Sequence, residues 1–420
     1  MARLTLANAP ILAFTLVWST LFSLYSFNWF NYHRADDRSL MILISGILAV
    51  YAGYFLVSLI FRKNTVFNES LPDHYGEGLF NKKILYKITF ITVILYLLGG
   101  TAFFYVFSQV VGGAKYYFID PGYVRDMTVA VGQGEIANVP IVYRFAGFFI
   151  SVGVLSNLFG GALFATDRTK KILAFLPLVS NVFVSFANLQ RYLFLMGIVF
   201  WILSFMYTTL AFQRKDNAAV FRSMLKTVLI LGLIFYGFNY FIVHMRAFDR
   251  GDLRTFFYES LYAYFVGSVS SFDMWLNDPN HHINYTYGQA IFRDVFRYLS
   301  KLGIWDTSEV RSMHPDFVLI GKNMGINTYT FVRVMYEDFQ IVGVLLFSFI
   351  WGGTAKYSVI KYFEKPNYTN LYFVLLMTLS LLMSFFSFYF RNIAGPVFLL
   401  LATIVIQAII KKTRQPNIAE

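Results

Sequence analysis

Residues 40–63 read LMILISGILAVYAGYFLVSLIFRK, an uncharged apolar run from Leu40 to Phe61 closed by Arg62-Lys63. A helix needs about 20 apolar residues to cross the roughly 30 Å hydrocarbon core of a bilayer. This run meets that length, and its basic stop marks one face of the membrane. The same pattern recurs outward in both directions. Ten stretches qualify, at about 9–30, 40–61, 84–108, 141–165, 172–188, 192–212, 227–244, 339–360, 371–390 and 394–410. The expected class is therefore all-α, a polytopic helical membrane protein of about ten transmembrane helices. Composition agrees: 57% of the 420 residues are hydrophobic and 14% charged, with mean hydropathy +0.55. That is too apolar to clothe a soluble domain, and it excludes a disordered chain and a nucleic-acid binder. Arg3 precedes the first stretch and no small-x-small site follows it, the pattern of a retained signal anchor.

The connections alternate in character. Arg62-Lys63 with Lys82-Lys83, Arg168 to Lys171, Arg214-Lys215, Lys361 with Lys365, and Lys411-Lys412 fall on one side. The positive-inside rule makes that side cytoplasmic, and with an even number of spans both termini lie there. The inner segments hold 19 of the 35 Lys+Arg and 7 of the 23 Asp+Glu, which accounts for the entire net charge of +12. No acidic polymer is needed to explain it. The bases also differ in kind, with 13 Lys and 6 Arg inside but 3 Lys and 13 Arg outside. Arg presents a planar fork that grips phosphate or carboxylate at two points. An outer face so rich in Arg points to anion recognition, against the plainer reading that Arg residues pair with the 16 outer acids.

Three regions follow: spans one to seven over 1–244, a long outer loop over 245–338, and spans eight to ten with a tail over 339–420. The loop carries the apolar run Leu261 to Val266. Phe292, Val295, Phe296, Leu299 and Leu302 then recur at helical spacing with Arg293, Arg297 and Lys301 between them. That spacing predicts an amphipathic helix at the membrane surface and a loop folded onto the bundle. A second outer connection, about 109–140, is Gly-rich and reads as a lid or a linker. Aromatics make up 20% of the chain, which fits interfacial belts as well as sugar stacking.

The chemistry-bearing residues are few. There is no Cys, hence no disulfide, thiolate or Cys-held metal. Phosphate-cradling, dinucleotide and nucleophile-elbow motifs are absent. His281-His282 lack a third ligand at metal spacing, so no metal or other cofactor is expected. Lys87 and Lys356 sit near inner span ends where they can snorkel, and no acid lies deep in a span, which argues against ion-coupled transport. Arg144, Arg191, Arg333 and Arg391 stand at outer helix ends, and Arg246, Arg250 and Arg254 recur every four residues after the seventh span. They could converge on a dianion or each anchor a headgroup. His314, Glu337 and Asp338 are the acid–base candidates, each also suited to a structural hydrogen bond.

The stretch GINTYTFVRVMYEDF, Gly325 to Phe339, leads into Val342-Gly343-Val344 and resembles the signature of bacterial oligosaccharide repeat-unit polymerases of the Wzy type. It departs at Gln340, where that family often has Gly. Tyr264 to Ser268 with Phe272-Asp273, and Arg191 at a hairpin tip, are similar to the family as well. The resemblance implies a GT-C-like bundle in the bacterial cytoplasmic (inner) membrane, with its active site facing outward. It implies a metal- and nucleotide-independent glycosyltransferase that joins undecaprenyl-diphosphate-linked oligosaccharide units into O-antigen or capsule. Its partners would be the lipid-linked donor and acceptor, membrane lipid, a flippase and a chain-length regulator. On that reading Arg191, Arg333, Arg144, Arg246 and Arg250 hold the diphosphate, with Arg333 also in the catalytic set. Asp338 or Glu337 serves proton transfer, with His314 a further candidate on its chemistry alone, and Tyr264, Tyr329, Tyr336 and Asp273 meet the sugars. The rivals are a flippase for the same lipid-linked oligosaccharide, which should show internal repeats, and an O-antigen ligase.

Reporter fusions check the topology. Those placed after Lys170 and Lys412 are expected to score as cytoplasmic, and one after Pro279 as external. An external score at Lys412 overturns the even span count.

Overall fold

The computed structural model describes residues 8–61, 82–133, 136, 139–212, 217–246, 253–278, 286–306, 318–321, 324–387 and 394–412. The helices are α1 (Ala9–Phe27), α2 (Asp37–Ile60), α3 (Lys82–Val110), α4 (Tyr116–Ile119), α5 (Pro121–Gln133), α6 (Val142–Gly153) and α7 (Leu155–Thr166). A 3-10 turn, Arg168–Lys170, leads to α8 (Lys171–Ala187), α9 (Arg191–Phe212), α10 (Asn217–Arg246), α11 (Leu253–Leu276) and α12 (Arg293–Lys301). A two-residue antiparallel ladder of β1 (Val318–Leu319) and β2 (Gly325–Ile326) precedes α13 (Val332–Glu364), α14 (Tyr368–Leu382) and α15 (Ala394–Lys412).

The fold is all-α and built as a multi-pass membrane protein. Among the described residues, eight helical stretches are long and apolar enough to span: α1, α2, α3, α6 with α7, Arg168–Ala187, Tyr192–Ala211, Leu225–His244 and α13. The ninth and tenth expected spans correspond to shorter apolar helices, Tyr368–Leu382 and Gly395–Ile410. Large apolar side chains such as Ile172 (87% exposed) and Leu233 (73%) cover the outside of the bundle. Each would lose about 1.5–3 kcal/mol of burial free energy in water, so lipid is the medium that suits this surface. Polar groups turn inward. Tyr96 Oη donates to Asn181 Oδ1 at 2.7 Å, and Asn181 Nδ2 donates to Asn157 Oδ1 at 2.6 Å, all buried.

Two apolar cores divide the bundle. One gathers α7, α8, α9 and α14, and the other α1, α2, α11 and the head of α13. The second depends on a close parallel crossing of α2 and α13. A Cβ on Gly53 would stand 1.9 Å from Phe349 O, and one on Gly352 would stand 2.0 Å from Val50 O. Only residues without a side chain let these backbones meet.

Four regions differ from the sequence reading. The long loop begins with a 24-residue helix, α11, where only an apolar hexapeptide was noted; α11 packs on α1, α2 and the ladder. The described residues of the 109–140 connection are packed, Tyr117, Val124 and Val131 meeting Phe107, Leu189 and Ile242 in a small core of their own. Lys356 has an internal partner: its Nζ donates to Asn8 Oδ1 at 2.9 Å, over the Tyr54 ring. Finally, α13 starts seven residues early and carries a break at Phe339 and Gln340, where Gln340 adopts φ 51°, ψ −143°. The helix expected in the loop is present as α12, with Val295 44% exposed and, just past its end, Leu302 72% exposed, while Arg293 and Asp294 are buried.

The backbone of Gln340 occupies a region in which a non-Gly residue costs on the order of 1–3 kcal/mol. Gln340→Gly is expected to stabilise the protein by about 1 kcal/mol net of the added chain entropy. It should raise the thermal midpoint measured in detergent. A lowered midpoint would mean that the Gln side chain contributes more than its backbone costs.

Candidate functional site

Three pieces of chain meet at the head of α2 and α13. They are residues 28–38 between α1 and α2, the C-terminal half of α11, and residues 286–292 against 326–338. The first is a connector fixed on both sides. Asn28 takes a left-handed conformation and its side chain bonds the backbone N–H and C=O of Tyr32. His33 N–H then donates to Ile320 O at 2.9 Å, and His33 O accepts from Ser270 Oγ at 2.6 Å.

Asp273, on α11, is the hub. It is 3% exposed and accepts from the Asp36 backbone N–H at 2.8 Å, Asn277 Nδ2 at 3.1 Å and His33 Nε2 at 2.6 Å. A buried charge must be paired or hydrogen-bonded in this way. The His33 side chain remains 45% exposed. Asp36 caps α2 by accepting from Ser39 N–H at 2.7 Å. That backbone bond, with help from the Ser39, Asp273 and Asn277 side chains, holds its carboxyl below the usual carboxylate range against the opposing effect of burial.

Arg333 opens α13. Its Cζ lies 3.8 Å from the Tyr329 ring centroid and 4.9 Å from that of Trp275. Two rings at that range stabilise the cation and fix the plane of its guanidinium. Tyr336 stands edge-on to Trp275 at 6.5 Å, and its Oη accepts from Arg38 at 3.3 Å. Contacts thus run from Arg333 through Trp275 and Tyr336 to Arg38 at the start of α2, two residues along the chain from Asp36, whose N–H bonds Asp273. The cluster gathers two guanidinium groups, one half-exposed imidazole and two carboxylates at one end of the bundle.

The sequence candidates fall into distinct fates. Arg333 and Asp273 are in the cluster. Tyr329 and Tyr336 are there too, 4% and 6% exposed, with their rings against Arg333 and Trp275. Tyr264 is 37% exposed. It stacks on Phe386 at 6.0 Å, which stacks on Tyr192 at 5.9 Å, the residue after Arg191. Glu337 is buried, and its carbonyl accepts from Thr286 N–H at 3.3 Å. Asp338 is fully buried. One of its oxygens accepts from Thr286 Oγ1 and from Ala290 N–H at 2.9 Å, and the other from Ile291 N–H at 2.7 Å. A carboxylate so enclosed positions residues 286–292 against the start of α13, just before the break at Gln340.

Arg144 is exposed at the start of α6, which packs on α3, α7 and α15, outside the elements that build the cluster. Arg191 heads α9 and Arg246 ends α10, with side chains outside the described residues; Arg250, His281, His282, His314 and Arg391 lie outside them altogether. The sequence reading passed over His33, Asp36, Arg38, Trp275 and Asn277. A signal was present in His33-Arg34-Ala35-Asp36-Asp37-Arg38, a dense polar run in a short connection of an apolar chain. No group of three metal-ligating side chains occurs among the described residues.

No family model matches the chain, and neither does any curated protein or solved structure.

Asp338→Ala strands two backbone N–H groups and one hydroxyl in a buried site. Each unsatisfied donor costs about 1–3 kcal/mol. The variant is expected to lose roughly 3 kcal/mol or more of stability, read as a lowered thermal midpoint. An unchanged midpoint would show that residues 286–292 do not depend on this carboxylate.

Proposed function

We propose that this protein joins lipid-diphosphate-linked oligosaccharide repeat units at the outer face of the bacterial cytoplasmic membrane, as a polymerase for a surface polysaccharide such as O-antigen or capsule. The observation that carries the reading is Arg333. It lies within the stretch resembling the Wzy signature, clamped between Tyr329 and Trp275 and linked through Tyr336 to Arg38. Stacking fixes the guanidinium plane, and the in-plane N–H fork of Arg is what phosphate oxygens recognise. The Lys-to-Arg switch between the two sides supports an anionic ligand on the Arg side.

In this reading ten spans carry both termini inside, with α14 and α15 as the last two. Arg333, with Arg38 near it, binds the diphosphate of the donor and stabilises the negative charge that grows on it as the glycosidic C1–O bond to phosphate breaks. No nucleotide is required, because the diphosphate leaving group drives the transfer. The half-exposed column Tyr264–Phe386–Tyr192 offers ring faces for sugars or for the polyprenyl chain. Asp338 acts at one remove, holding residues 286–292 against the helix that begins with Arg333. The exposed apolar face of α12 suits the lipid surface.

The test is surface polysaccharide run on a gel from a strain lacking the gene, complemented with wild type, Arg333→Ala or Arg333→Lys. The expected result is a ladder with wild type alone and a single repeat unit in the other lanes. The Lys variant keeps the charge but loses the fork, so it is expected to fall by at least tenfold. A ladder from Arg333→Ala discards Arg333 as the diphosphate ligand. Absence of any exported repeat unit in the deletion strain points to a flippase, and long unattached polymer points to a ligase.

A further inference from the structure

We propose that His33, oriented by Asp273, is the general base of this site and takes the proton from the acceptor sugar hydroxyl. The inference rests on the glycosyl-transfer reading above. It starts from an asymmetry: one partner of the pair is 4% exposed and the other 45%, joined Nε2 to Oδ2 at 2.6 Å. A buried carboxylate that orients an exposed imidazole fixes its tautomer and stabilises the imidazolium formed when it accepts a proton. With Nε2–H donating to Asp273, Nδ1 is the acceptor nitrogen, an assignment made from the hydrogen bond.

The imidazole is also well held. The His33 backbone is fixed at its N–H by Ile320 and at its C=O by Ser270, and Asp273 is fixed by Asp36 and Asn277. The base is therefore held at its backbone by α11 and by the residue that follows β1, and at its ring by Asp273. The carboxylates of α13 do not compete for the role, since Glu337 is buried and Asp338 is fully buried on its three donors. His33 belongs to the same end of the bundle as Arg333: Asp273, which holds His33, lies two residues before Trp275 on α11, and Trp275 packs on Arg333.

The step balances without a further reagent. The acceptor hydroxyl oxygen bonds to the anomeric carbon of the donor while its proton passes to Nδ1. The bond from that carbon to the phosphate oxygen breaks, and the lipid diphosphate leaves with the electron pair, held by Arg333. The imidazolium returns its proton to water. The other ionisable groups around this pair are Tyr262 on α11, Tyr25 on α1, Asp36 and Arg34 in the connector, and Arg38 on α2.

The experiment uses the full chain purified in detergent or nanodiscs, with a synthetic lipid-diphosphate-linked repeat unit as both donor and acceptor. Rates are taken from about pH 5 to about pH 9, the range that spans imidazole titration. His33→Gln keeps an amide N–H that can donate to Asp273 but has no basic nitrogen. It is expected to lose about 10²- to 10⁴-fold in kcat, with KM within about threefold, and to lose the acidic limb of the wild-type profile. Asp273→Asn is the second variant, expected to lose at least about tenfold and to displace that limb. A His33→Gln enzyme within about threefold of the wild-type rate, or with the wild-type profile, overturns the assignment while leaving the polymerase reading intact. Should His33→Gln fail to fold, Asp273→Asn decides, and a wild-type profile from it overturns the proposal. A wild-type protein inert toward the repeat unit at every pH overturns the polymerase reading and this inference with it.

Discussion

The crossing of α2 and α13 is the constraint on which the site depends. The two helices run parallel, with Arg38 beside Tyr336 at one end, Gly46 against Val344, Gly53 against Phe349, and Tyr54 beneath Lys356 further along. Parallel neighbours put both helix heads at the same end of the bundle. Between lipid-facing helices there is no hydrophobic gain from association, so backbone contact must supply it. Gly53 and Gly352 allow that contact, and the heads are brought together as a result. Asp36, Arg38, Arg333 and Tyr336 are near one another because glycines lower in the pair have no side chains.

How much of this could be read in advance depends on the range of the interaction involved. Helix positions were legible because a span is a local property, a run of apolar residues of sufficient length. The ten expected stretches correspond to helices in the same places, two of them too short by the span criterion. The amphipathic pattern from Phe292 to Leu302 was legible as α12 for the same reason, since i, i+3 and i+4 spacing is local. The motif around Arg333 was legible as a motif. That its second half is the first turns of a span, broken at Gln340, was not. A break at a residue with φ 51° has no local signature when the residue is Gln, and the Gly usual there in the resembled family would have betrayed it.

The site was only half legible, and the missing half came through space. Asp273 was noticed for its place in a string, but its role comes from His33 and Asp36, 240 and 237 positions away. Nothing on one strand of sequence pairs them. For Tyr329 and Tyr336 a sugar-facing role is what the family resemblance implies. The structure turns both rings toward protein instead, one of them onto Arg333. The composition of the connection between α1 and α2 is the one local clue to His33. Five of the six residues from His33 to Arg38 are ionisable, in a chain only 14% charged.

Asp273 and Asp338 show why this end of the protein can be both irregular and rigid. Buried backbone groups outside helices must find partners within the protein. Each of the two carboxylates provides them: Asp273 takes the N–H at the entry to α2, and Asp338 takes two N–H groups of the turn before α12. Both anchor their segments from a helix, so irregular chain is referenced to regular chain. The difference between them is what else they touch. Asp338 is enclosed by its donors and ends its influence there, whereas Asp273 spends its remaining oxygen on an imidazole that reaches solvent. One device, a buried carboxylate collecting N–H groups, is structural in the first case and becomes chemically useful in the second by a single additional partner.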